Sequence, residues 1–99
     1  MIQHDVMIKL IDMPDEEKAA KCKELKLVLE ALKEKIPEIR SIHVGINVSP
    51  RPIAFDLIAS STFDNEKDLE TFRFHPAHLA AVDVIKPVEK QSVLVDHFI

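Results

Sequence analysis

Five histidines, His4, His43, His75, His78 and His97, are the side chains here whose ordinary titration range lies near neutral pH, so proton transfer is the first chemistry to consider. His78 stands at the third position of a segment opened by Pro76. Proline suits the first turn of a helix, and the positive end of the dipole together with partial burial favours a neutral imidazole there. A neutral imidazole accepts a proton, so His78 is the candidate general base. A base also needs its far ring nitrogen held, and Asp96, on the closing apolar segment, is the candidate orienter. His4 shares the parity of Val6 and Ile8 and is the candidate second polar group, placed to orient a carbonyl. The plainer reading is structural, with His78 capping a strand end and His4 a satisfied core residue.

The other reactive types point elsewhere. His75 precedes Pro76, which pushes it out of the helical region and makes it an N-cap. His75 and His78 are spaced closely enough for one metal ion, with His4 or Asp96 as a third ligand, but the proline separates the rings and no metal is assigned. His43 and His97 have the opposite parity and read as solvated residues on the other side of a sheet. Cys22 lies among Ala19, Ala20 and Leu25, where nothing would stabilise a thiolate. Ser60 and Ser61 lack the glycine-flanked turn of a hydrolase nucleophile.

The elements that must position these groups follow from periodicity. Ile2 to Ile11 alternates as a half-buried strand. Pro14 with Asp15, Glu16 and Glu17 starts a helix to about Lys35, whose stripe is Cys22, Leu25, Val28, Leu29, Leu32 and Ile36, and Pro37 stops it. Alternation resumes from Glu38 to Val48, with Gly45 a candidate bulge. Ser49-Pro50-Arg51-Pro52 is a connection, because two prolines remove ladder donors. A third strand runs from Ile53 to Phe63. Asp64 is the expected N-cap of a short helix carrying Leu69 and Phe72. A second helix from Pro76 reaches Pro87, and Gln91 to Phe98 is the last strand.

Strand, helix, strand, strand, helix, strand predicts an α+β protomer: a four-stranded antiparallel sheet with helices on one face. Met7, Ile58, Val93 and Val95 fall on the bare face, which predicts a homodimer through the sheets. Ninety-nine residues fit one domain. The 13 basic against 17 acidic residues disfavour nucleic acid, the single glycine excludes a phosphate-cradling loop, and the one cysteine excludes an internal disulfide. No apolar run suits a membrane span and the amino end does not read as a signal peptide, so the expected location is cytoplasmic.

Several segments together resemble the stress-responsive dimeric α/β-barrel (Dabb) family across nearly the whole chain. They are His4-Asp5-Val6-Met7-Ile8-Lys9-Leu10, Ile36-Pro37, Val44-Gly45-Ile46-Asn47-Val48-Ser49, Phe55-Asp56-Leu57, His75-Pro76-Ala77-His78 and Val95-Asp96. The resemblance implies a ferredoxin-like βαββαβ protomer pairing sheet to sheet into a dimeric α+β barrel. Polyketide cyclases of that family close a ring by an aldol condensation without metal or organic cofactor. Where they keep a base histidine and an essential tyrosine, this chain has His78 and Phe72. It also has Leu57 where they have a third-strand histidine. The base is retained and the phenol is lost.

Two functions are carried forward. In the first, Val6, Ile8, Leu25, Val28, Ala59, Phe72, Val82, Ile85 and Leu94 line an apolar cavity for a small carbonyl compound, with His4 and His78 as its polar groups and no cofactor. In the second, the same residues are a filled core and the protein is a stress-related interaction or structural protein.

Overall fold

The computed structural model describes all residues, Met1–Ile99. The elements are β1 (Ile2–Leu10), α1 (Asp15–Glu30), α2 (Leu32–Lys35), β2 (Ser41–Ile46), β3 (Leu57–Phe63), α3 (Glu66–Phe74), α4 (Pro76–Ile85) and β4 (Glu89–Phe98), with a 3₁₀ turn over Lys86–Val88. The strands form one antiparallel sheet in the order β2-β3-β1-β4, which with this chain order is the ferredoxin-like arrangement.

Register assigns the faces. Val6 on β1 lies between Ala59 on β3 and Leu94 on β4, and Val44 on β2 lies opposite Ala59. Every second residue from these points to the helices. The core under them includes Ile8, Leu10, Leu25, Leu32, Ile36, Val44, Leu57 and Phe63. Burying a side chain such as Leu25 or Phe63 contributes roughly 1.5–3 kcal/mol, so these residues hold the helices down.

Four local expectations are corrected. The first helix is interrupted at Ala31 rather than continuous to Lys35. Gly45 is in regular register with Ile58, where a Cβ would stand in tight contact 3.1 Å from Ile58 Cγ2, and the sheet's irregularity falls at Lys9/Leu10 instead. The third strand begins at Leu57, after a turn closed by Ala54 N–H on the Arg51 carbonyl. Asn65, not Asp64, caps α3 by accepting from Asp68 N–H, while Asp64 pairs with Arg40.

The two sheet edges differ. At β2, Glu30 accepts Val44 N–H at 2.9 Å and Lys26 donates to the Val44 carbonyl at 2.6 Å, so α1 side chains occupy the outward hydrogen-bonding groups of that residue. At β4 every residue beyond Glu89 is exposed. No helix of the structure is long and apolar enough to cross a membrane.

Candidate functional site

His4 reaches the helix-facing side of the sheet because its parity on β1 is that of Val6 and Ile8. Directly across the β1–β4 ladder stands Asp96, whose Oδ1 accepts the His4 Nδ1 proton. A carboxylate cannot donate, so this contact fixes the proton on Nδ1 and leaves Nε2 as the free nitrogen. The His4 side chain is 12% exposed and Asp96 34%, placing the pair at the margin of the covered region.

His78 is positioned by the break between α3 and α4. His75 Nδ1 accepts Ala77 N–H at 3.0 Å, capping α4, and Pro76 fills the first turn. One residue beyond Ala77, His78 donates its Nδ1 proton to the Arg73 carbonyl at 2.9 Å, again leaving Nε2 free. Burial pushes this imidazole below its ordinary 6.5, against the pull of the Arg73 carbonyl, and the nearby His4, Arg73 and His75 add to the depression. The sequence expectation that Asp96 orients His78 is therefore corrected: Asp96 holds His4, and a backbone carbonyl holds His78.

Phe72 stands between the two imidazoles. Its ring centre is 4.3 Å from His78 and 5.9 Å from His4, and it packs against Phe63 at 5.0 Å. All three border one pocket of about 260 Å³ between sheet and helices. An apolar cavity near 150 Å³ already accepts benzene, so this one has room for a substituted ring.

Of the expected lining residues, Val6, Ile8, Ala59, Phe72, Val82 and Ile85 border the pocket with His4 and His78. Leu25 does not, being fully buried in the core beside it, and Val28 only packs against that core. Leu94 has the right parity but is 58% exposed, because the helices cover the other strands and leave β4 bare. The structure adds Leu29, Leu32, Ile42 and Ser61 to the wall, and Lys86, Glu89 and Ser92 at the mouth. Ser61 was readable from parity with Ala59 and Phe63; the mouth residues carried no sequence signal.

Outside the pocket, His97 donates to Asp5 on the bare face at 3.1 Å and His43 lies 3.7 Å from Glu30. Cys22 is buried, and burial pushes its thiol up, away from the reactive thiolate. No three His, Cys, Asp or Glu side chains gather at metal-ligand spacing.

The model of the stress responsive A/B barrel domain, Dabb, matches residues 2–99. The chain belongs to the Dabb family. An uncharacterized protein of Streptomyces coelicolor is 33% identical to this Dabb chain over 82 residues, spanning 83% of it and 84% of the relative. A dimeric ferredoxin-like protein from Bacteroides fragilis is 34% identical, covers 99% of this chain and 95% of its own, and superposes with a TM-score of 0.90. The Passiflora edulis hydroxynitrile lyase shares the Dabb protein's fold at 19% identity, with a TM-score of 0.79 over 99% of this chain and 92% of that one.

Proposed function

We propose that this Dabb protein binds a small, largely apolar compound in the pocket and moves a proton on it with its own imidazoles. His78 acts as base, and His4, held by Asp96, is the second polar group. The observation that carries this reading is that both imidazoles border one apolar pocket and each has its Nδ1 engaged within the chain. Fixed tautomers facing an apolar wall are what a base requires, and a core histidine needs no cavity beside it. The hydroxynitrile lyase, whose name states a reaction on a small molecule, lends support through its shared fold.

The test is a titration of the protein with single-ring compounds followed by NMR. Saturable shifts at Ala59, Ser61 and Phe72, lost in His78→Gln with the fold retained, are expected. Unmoved pocket signals, or a variant that binds equally well, would return His78 to a structural role and favour the interaction-protein reading.

The protein also pairs with a second copy through its bare sheet face. Met7, Ile58, Val93 and Val95 are exposed there together, a patch unsuited to water, and the 34% identical Bacteroides relative is a dimer. Light scattering at low micromolar concentration should give twice the 11.3 kDa chain mass; a monomer would overturn the pairing.

A further inference from the structure

The polar groups inside the pocket are unbalanced in kind. His4 spends its Nδ1 proton on Asp96 and His78 spends its own on the Arg73 carbonyl, so with one proton per ring both Nε2 atoms are acceptors. Ser61 is the one buried polar residue of the chain, 2% exposed, and lies directly across β1–β3 from His4. Its hydroxyl proton reaches the His4 carbonyl at 3.5 Å, the outer limit of a hydrogen bond, and its oxygen receives no donor. Two acceptor nitrogens and one hydroxyl that can rotate to donate or accept thus border an otherwise apolar space. The remaining donors, Lys86 and Ser92, are exposed at its mouth.

An acceptor left unpaired in a low-dielectric site is costly, and a ligand with only acceptors can take the Ser61 proton but leaves both imidazole nitrogens so. A hydroxyl supplies the missing proton. We infer that the pocket selects hydroxyl-bearing ring compounds, whose O–H donates to an imidazole Nε2 while its oxygen accepts from Ser61, over carbonyl compounds of the same size. This deepens the proposed function and rests on the pocket being a ligand site. It also replaces the expectation that His4 orients a carbonyl, since its spare nitrogen has no proton to give.

The experiment compares benzyl alcohol, benzaldehyde and toluene on the unmodified protein at pH 7.5. These share a ring and nearly a size but offer a donor, an acceptor only, and neither. Dissociation constants come from backbone amide shifts, and imidazole ¹⁵N spectra report on Nε2. Benzyl alcohol should bind about fivefold or more tighter than benzaldehyde, as one well-formed hydrogen bond allows, and should move the Nε2 resonances where toluene does not. Benzaldehyde binding as well or better, or an alcohol that leaves Nε2 unmoved, would overturn the hydroxyl inference and leave the pocket reading intact. Failure of all three to bind would overturn both.

Discussion

Asp96 and His4 face each other across the β1–β4 ladder, and the carboxylate holds the imidazole proton on Nδ1. Strand pairing alone brings them together, since 92 residues separate them in the chain. The proton on the pocket histidine is therefore set by an edge strand that no helix covers.

Replacing Asp96 with Asn should release that tautomer. An amide can donate or accept, so the ring is no longer confined to one form. Imidazole ¹⁵N spectra should show His4 with a single protonated Nδ1 in the native chain and a mixture in the variant. The stability loss should be about 1 kcal/mol or less, because the pair is partly solvated. An unchanged ¹⁵N pattern would show that Asp96 does not set the tautomer.

His78 gives a pH dependence with a definite sign. Its folded value lies below the ordinary 6.5, so on acidification the unfolded chain takes up the proton first. The contribution is fully present above 6.5 and is lost as pH falls through that value toward the folded one. Urea midpoints should therefore drop across this window, and His78→Gln should flatten that part of the profile. A native His78 titrating at or above 6.5 in NMR would contradict the assignment.

Glu30 covers the outward Val44 N–H on the β2 edge. It accepts from Lys26 at 2.8 Å and from Val44 N–H, and these bonds hold its carboxyl below the usual range despite some opposing burial. Its contribution is present at neutral pH and fades as pH falls through the lowered folded value. Glu30→Ala should cost about 1–2 kcal/mol in urea unfolding and open the strand to edge pairing. Sedimentation should detect the added association; a variant with native stability and mass would show that the edge needs no seal.

Asp56 does comparable work at the end of β1. Its Oδ2 accepts Leu10 N–H at 2.8 Å, just past the last β1–β3 pair, Ile8 with Leu57, and Lys18 lies 3.8 Å from its other oxygen. Leu10 is fully buried, so Asp56→Ala leaves its N–H without that partner and should cost about 1–3 kcal/mol. Hydrogen exchange at Leu10 should quicken markedly, and retained protection would indicate another acceptor.

Much of this was written in local periodicity. Alternation through Ile2, His4, Val6, Ile8 and Leu10 determined the face His4 takes, and Pro76 after His75 determined where α4 begins and that His78 lies in its first turn. Such features depend on neighbours a few residues away, which the sequence displays directly. Parity says which side of a sheet a residue faces, but not which strand lies beside it or what covers it. Only the order β2-β3-β1-β4 set Asp96 beside His4 instead of His78, and only the helices' seat over the other strands left Leu94 in solvent. Parity put Ser61 on the helix-facing side, and only packing between β1, β3 and the helices set it at a pocket rather than in filled core. Lateral position is a property of the assembled sheet, and no window along the chain contains it.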